Sequence, residues 1–315
     1  MKIIQNKEKF ILSDPTAVAI GKFDGIHVGH RRLLSEILEQ KKQGLKACVF
    51  TFDPSPAVFF GVPINGELTT REEKRRLFET MGVDILVEFP MNAATAQMKP
   101  EHFVKEVLVD MLKAKFVAAG EDVSFGDKGA GNAKLLKQME QECGYTTRLI
   151  SKVCYEDREV SSTYVRECVE RGDMETALTL LGSGYSIEGE VVHGHQLGRK
   201  LSMPTINLIP EEGKLLPPYG VYFAEVSIWN EQTQTWETYG GVTNIGCKPT
   251  VESEKKVGVE THIFDFDGDL YGKWVRVELL KFHRPEQQFE DVDRLKEELH
   301  KDSQICRKYL EKRHK

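Results

Sequence analysis

The chain has 315 residues, 40% hydrophobic and 29% charged, with a net charge of -6, enough for two compact domains of ordinary soluble composition. The acidic balance argues against a nucleic-acid partner, whose phosphates are met by basic surfaces. No apolar run reaches the roughly 20 residues of a membrane helix, the opening MKIIQNKEKF has no signal-peptide core, and six scattered cysteines without a C-x-x-C read as reduced thiols of a cytoplasmic protein.

In chain order, AVAIGKF (17–23) predicts a strand ending at Asp24-Gly25, and HRRLLSEILEQKKQ (30–43) a helix that stops at Gly44. LKACVFTF (45–52) predicts the next strand, cut off by Pro54 and Pro56. REEKRRLFETM (71–81) predicts a helix, DILVEFP (84–90) a strand, EHFVKEVLVDMLKA (101–114) a helix and FVAAG (116–120) a strand. Strands alternating with helices predict an α/β domain with a parallel sheet, which binds ligands beyond the carboxyl ends of its strands. The period changes near Gly182-Ser183-Gly184. After it come the strand-like runs SIEGEVV, GVYFAEVSIW, TYGGVTNI, VETHIFDF and WVRVELLKF, which predict a small antiparallel barrel or sandwich. The final stretch, 290–312, is an amphipathic helix on which Leu295, Leu299, Cys306 and Leu310 can share a face. The expected domains are therefore 1–182 and 183–315. No signal for an oligomeric state is present.

The first candidate site is GKFDGIHVGH, a strand end that opens a helix. A helix N-terminus carries unpaired N–H groups and partial positive charge, which attract phosphate. His27 and His30, three apart, face the same way, and Gly29 leaves room for a nucleotide against the backbone. Two imidazole donors there suit the charge that builds on an α-phosphate under attack. The alternative is two surface histidines beside a turn. VSSTYVRECVERGD (160–173) adds Ser161, Ser162, Thr163 and Arg166 at a helix start, either as phosphate donors or as a plain cap with a surface arginine.

The second candidate is HGHQLGRKLSMPTINL, where Gly194, Gly198 and Lys200 can wrap phosphates. Thr205 and Asn207 alternate toward one face of a strand-like segment and offer hard oxygens to Mg²⁺ in company with ATP. A structural hairpin with a buried Thr/Asn pair is the competing reading. Glu260, in a predicted strand, is the natural base for a hydroxyl proton, unless it is an ordinary exposed strand glutamate.

These motifs in this order resemble the bacterial bifunctional riboflavin kinase/FAD synthetases. The front half is similar through Gly21-x-Phe23-Asp24-Gly25-x-His27-x-Gly29-His30, Thr51-Phe52-Asp53-Pro54-x-Pro56, Ala119-Gly120-Glu121-Asp122 with Phe125-Gly126, and Ser161-Ser162-Thr163-x-x-Arg166. The back half is similar through Gly198-Arg199-x-Leu201-x-x-Pro204-Thr205-x-Asn207, Gly220-Val221-Tyr222, Asn244-Ile245-Gly246-x-x-Pro249-Thr250, Glu260-x-His262-x-Phe264-Asp265 and Arg284-Pro285-Glu286. The resemblance implies a Rossmann-like nucleotidyltransferase domain followed by a six-stranded antiparallel β-barrel with a terminal helix. It implies riboflavin, FMN and ATP as small-molecule partners, with Mg²⁺, and no membrane or nucleic acid. It implies Gly21, Phe23, Asp24, His27, Gly29, His30, the 161–163 hydroxyls and Arg166 at the adenylylation site, with Pro54, Pro56, Asp122 and Phe125 toward the flavin. It implies Thr205 and Asn207 at Mg²⁺-ATP and Glu260 as base. The alternatives are a class I aminoacyl-tRNA synthetase relative, a cytidylyl- or pantetheine-type nucleotidyltransferase with an unrelated barrel, and a non-catalytic flavin-binding protein.

Overall fold

A computed structural model describes residues 1–63, 65–193, 205–248 and 256–314, and of residues 248, 256 and 292 the backbone alone. Its contacts divide the chain into two compact units, Met1–Tyr164 and Val165–Lys315.

In the first unit, six parallel strands stand in the order β1 (Lys2–Gln5), β4 (Ile85–Pro90), β3 (Lys46–Asp53), β2 (Thr16–Ile20), β5 (Ala114–Gly120), β6 (Thr146–Ile150). Successive residues of each strand serve opposite faces. From β2, Ala17 and Ala19 face a layer holding Leu33, Leu34 and Ile37 of helix α1 (Val28–Glu39) and Phe78 of α2 (Arg71–Thr80). Val18 and Ile20 face the other layer, with Phe103, Val104, Val107 and Leu108 of α3 (Phe103–Met111, wound as a π-helix). Both faces are covered, as a parallel sheet requires. The strand order runs outward in both directions from β2 and β5. That pair is the switch point at which such sheets bind ligands.

Several expected elements end elsewhere; the helix expected over 101–114 stops at Met111, and Ala114 already opens β5. The strand predicted over 17–23 stops at Ile20, because Phe23 takes a positive φ of 51° to turn its ring into the core. The helix predicted over 30–43 continues only to Glu39 and ends in a tight 3₁₀ turn, Gln40–Gln43. Strands β1 and β6 were not among the predicted elements.

The second unit begins with the rest of helix α4 (Ser162–Arg171) and with α5 (Met174–Leu181), which packs on strands β7 (Tyr185–Glu190) and β12 (Trp274–Arg284). The six antiparallel strands run β7-β12-β9-β10-β11-β8, where β8 is Thr205–Leu208, β9 Gly220–Asn230, β10 Thr235–Lys248 and β11 Lys256–Ile263. Among the described residues a single bridge, Val192 N–H to Asn207 C=O at 2.9 Å, joins the two ends and closes the sheet.

Helix α6 (Val292–Arg313) lies on β10. Its Cys306 and Leu310 join Val221, Phe223, Val242, Phe264 and Leu280 in one apolar cluster. Leu295 and Leu299, expected on the same stripe, are only half-buried, and a polar residue takes the centre of the seat: Asp302 is 1% exposed. Its carboxylate accepts from Arg284 at 2.7 Å and meets His283 Nε2 at 2.9 Å, both on β12. Removing one partner of a buried ion pair strands the other, at a cost of about 3–5 kcal/mol. Asp302→Ala should therefore lower the stability of the second unit by roughly that amount. All three tryptophans (Trp229, Trp236, Trp274) lie in this unit, so urea unfolding followed by tryptophan fluorescence measures it directly.

Candidate functional site

The first site forms where β2 gives way to α1. His27 is the N-cap of α1, and its Nδ1 accepts from the His30 N–H at 3.4 Å. A neutral imidazole that accepts at Nδ1 carries its proton on Nε2, which leaves an Nε2–H to donate. The two rings stack, with centroids 3.8 Å apart. Behind them Phe23, fully buried, packs on His30 and edge-on against Phe78 of α2. A Cβ on Gly21 would come within 3.0 Å of the Phe23 ring, and one on Gly29 within 3.2 Å of His27. The space beside Gly29 is thus filled by the His27 imidazole, where the sequence suggests a nucleotide.

Burial dominates the electrostatics. His27, 8% exposed, is pushed down from 6.5 to about 4 by desolvation, against a smaller upward pull from Asp122. His30 is held well below its usual value by burial, with His27 and Lys74 adding to the shift. Both rings are neutral near pH 7, and among the described residues His30 Nδ1 has no hydrogen-bond partner.

The neighbouring residues fix the loop. The Asp24 carboxylate accepts from the N–H groups of Leu68 (2.9 Å) and Thr69 (3.3 Å), and Gly25 N–H donates to Thr69 Oγ1 at 3.1 Å. Asp24 therefore ties the approach to α2, which starts with a reciprocal Thr70/Glu73 cap. Ser162 Oγ donates to the Asp24 carbonyl at 2.8 Å, and Ser161 Oγ accepts from Tyr164 N–H at 3.2 Å. Thr163 is exposed, and Arg166 stands one turn beyond Ser162 on α4. Of the residues placed toward the flavin, Asp122 is exposed past the end of β5. Pro54 and Pro56 lead into a short turn of helix, Pro56–Phe59, around which Val58, Phe59, Phe60 and Val62 are exposed. Phe125 is committed to the core at 3% exposed, against Phe103.

The second site lies on the barrel strands. Asn207, Glu260 and Asn244 are cross-strand neighbours on β8, β11 and β10, so their side chains share one face. Thr205 Oγ1 donates to Glu260 Oε1 at 2.7 Å. Asn244 Nδ2 donates to Glu286 Oε1 at 3.1 Å. Three hard oxygen-bearing groups, from Thr205, Asn207 and Glu260, thus come together. That set suits Mg²⁺ shared with a nucleotide rather than a cage built by protein alone. Among the described residues no cluster of three His, Cys, Asp or Glu could hold a metal unaided. Gly194, Gly198 and Lys200 lie outside the described residues.

Beside Thr205 opens a cavity of about 200 Å³, lined by Val191, Ile206, Ile263, Phe266, Leu270 and Tyr271 among others. These residues were absent from the sequence-based candidates. Their signal is faint, because a flat apolar ligand is held by ordinary core residue types. The turn-rich DFDGDLYG (265–272) between two strands was the available clue.

Comparison with known proteins places both halves. A FAD synthetase family model matches residues 11–164, and a riboflavin kinase family model matches residues 181–310. The bifunctional riboflavin kinase/FMN adenylyltransferase of Buchnera aphidicola subsp. Schizaphis graminum is 34% identical over 311 residues, covering 98% of this chain and 97% of its own. The Bacillus subtilis protein of the same name is 31% identical, over 94% of this chain and 92% of its own. The crystal structure of a Streptococcus pneumoniae protein described as a macrolide-efflux protein superposes with a TM-score of 0.81 at 28% identity, over 97% and 98% of the two chains.

The neutral imidazoles have a consequence for stability. Between about pH 6.5 and pH 4 the unfolded chain binds protons that His27 in the fold refuses. The contribution is intact above 6.5 and is lost as pH falls toward 4, by on the order of 3 kcal/mol. Urea unfolding followed by circular dichroism should show the loss between pH 7 and pH 4.5, and a shallower one in His27→Gln.

Proposed function

The chain belongs to the family of bifunctional riboflavin kinase/FMN adenylyltransferases, and we propose that its two units divide the chemistry, the barrel phosphorylating riboflavin to FMN and the parallel-sheet unit adenylylating FMN to FAD. The observation that carries the division is that each unit holds its own reactive cluster: stacked neutral imidazoles at a helix tip, and a hydroxyl-bound carboxylate on a barrel strand.

In the barrel, Glu260 accepts the proton of the ribityl 5′-hydroxyl as its oxygen bonds to the γ-phosphorus and the bond to ADP breaks. The hydrogen bond from Thr205 orients the carboxylate. Thr205 and Asn207 are the groups that would hold Mg²⁺, which would offset charge on the phosphates. The cavity beside Thr205 takes the planar base of ATP, between Tyr271, Leu270 and Ile206.

In the first unit, an FMN phosphate oxygen attacks the α-phosphorus of ATP, and pyrophosphate leaves. The attacker is already an anion, so no base is needed and the catalytic load is positioning and charge stabilisation. His27 donates from Nε2–H, and His30 stands beside it. The helix-start hydroxyls of 161–163 and Arg166 hold the outer phosphates. The exposed apolar turn after Pro54 and Pro56 and the β5 end at Asp122 take the flavin. Phe23, Gly21, Gly29 and Asp24 act by shaping the loop.

The partners are riboflavin, FMN and ATP. No helix among the described residues is long and apolar enough to cross a membrane, and the six free cysteines fit a reducing cytoplasm. Macrolide efflux, the activity in the name of the pneumococcal protein, is not carried over, since two enzyme-family models span this chain.

Glu260→Gln should abolish FMN formation from riboflavin and leave FAD formation from supplied FMN. His30→Ala should slow FAD formation about 10²–10³-fold, the size of losing one preorganised donor, and spare the kinase. Chromatography of flavins after incubation with Mg²⁺-ATP reads both; simultaneous loss of the two activities in either variant contradicts separate sites.

A further inference from the structure

The neutral imidazole pair raises a question of charge. Negative charge gathers on the α-phosphate during transfer, and two neutral rings offer it hydrogen bonds but no counter-charge. The first turn of α2 supplies one. Its cations are otherwise engaged: Arg71 pairs with Asp53, Arg75 with Glu72 and Glu88, and Arg76 has a partner of its own. Lys74 does not follow this pattern. It is half-buried, and among the described residues its ammonium makes no side-chain hydrogen bond or close ion pair, acting on the Glu67 carboxylate through its charge alone.

Geometry directs it at the imidazoles. Phe78, four residues further along α2, packs on Phe23, which packs on His30. Positions i and i+4 share a helix face, and helical side chains lean toward the N-terminus. Lys74 therefore rises from the same face as Phe78, one turn nearer the end of α2 that Asp24 fastens to the His27 loop. Its charge is felt at the His30 ring and at Glu67.

We propose that Lys74 is a phosphate-binding catalytic residue of the adenylylation site, its ammonium meeting a non-bridging oxygen of the α-phosphate as FMN attacks. The assignment rests on the functional reading above and adds a residue to it. No proton or electron moves through Lys74: the bond from the FMN oxygen to the α-phosphorus forms, the bond to pyrophosphate breaks, and the ammonium stays charged throughout. Its charge acts on His30 and on Glu67, and the other groups that act on those two are His27 at the α1 start, Asp24 on the loop, Arg71 at the start of α2 and Asp53 at the end of β3.

The test compares the full-length wild type with Lys74→Met and Lys74→Arg, measuring FAD formation from FMN and Mg²⁺-ATP at pH 6 and pH 8. Lys74→Met should be slower by about 10²–10³-fold at both values, with Lys74→Arg recovering part, and with riboflavin phosphorylation and melting temperature unmoved. A rate within threefold of wild type at pH 8 overturns the proposal. So does a loss confined to pH 6, which would mean that Lys74 acts only by keeping His30 deprotonated. A parallel measurement needs no variant: Mg²⁺-ATP should protect Lys74 of the wild type from acetylation by acetic anhydride, and equal labelling with and without nucleotide overturns the assignment even if Lys74→Met fails to fold. If the wild type makes no FAD, the functional reading falls and Lys74 with it; if it makes FAD and Lys74→Met does so equally fast, only Lys74 falls.

Discussion

Exclusion of water from two imidazoles is the constraint on which the first unit is built. A histidine left in solvent is half-charged near neutrality, and a charged pair in stacking contact would repel. Phe23 from behind and the α1 terminus at the side remove the water and with it the charge. The surrounding features serve that burial. Gly21 and Gly29 lack side chains because rings occupy their space. Phe23 accepts a positive φ to reach the core, and Asp24 fastens the loop to α2. The outcome is a pair of neutral imidazoles where β2 gives way to α1, beside the point in a doubly wound sheet at which adjacent loops part.

The second unit solves a different problem. In the proposed reaction the attacking hydroxyl must lose a proton, and here a carboxylate is held by a neighbouring hydroxyl in a face of antiparallel strands. Strand pairing sets this arrangement without special backbone: register alone brings Asn207, Glu260 and Asn244 abreast. The first site depends on a strained loop and the second on ordinary pleat. Each follows from its chemistry, since stabilising an anion asks for converging donors while taking a proton asks for one oriented base.

Much of the fold was legible because the central strands are continuous apolar runs, such as Ala17–Ile20 and Ala47–Phe50. Strands β1 and β6 escaped because edge strands are buried on one face only, and KIIQ and TTRLI carry too few apolar residues to stand out. The histidines, Thr205, Asn207 and Glu260 were visible as residue types with known chemistry. What pattern could not show was the direction of side chains. Phe125 reads as a ligand contact yet turns inward to Phe103, and Asp302, on a helix read only through its apolar stripe, anchors that helix to β12. The cavity beside Thr205 was invisible for the opposite reason, its walls being made of residues that also build cores.

The closure of the barrel rests on Asn207. Among the described residues its backbone carbonyl makes the one bridge between β8 and the chain leaving β7, while its side chain stands abreast of Glu260. One residue is thus a clasp and, in the proposed reaction, a contact. Whatever holds its amide in place also holds the clasp shut, and by mass action a substrate that grips it favours the fastened form. With that contact made, occupancy and architectural integrity of this half would be linked through Asn207, and the barrel would be at its firmest while it is working.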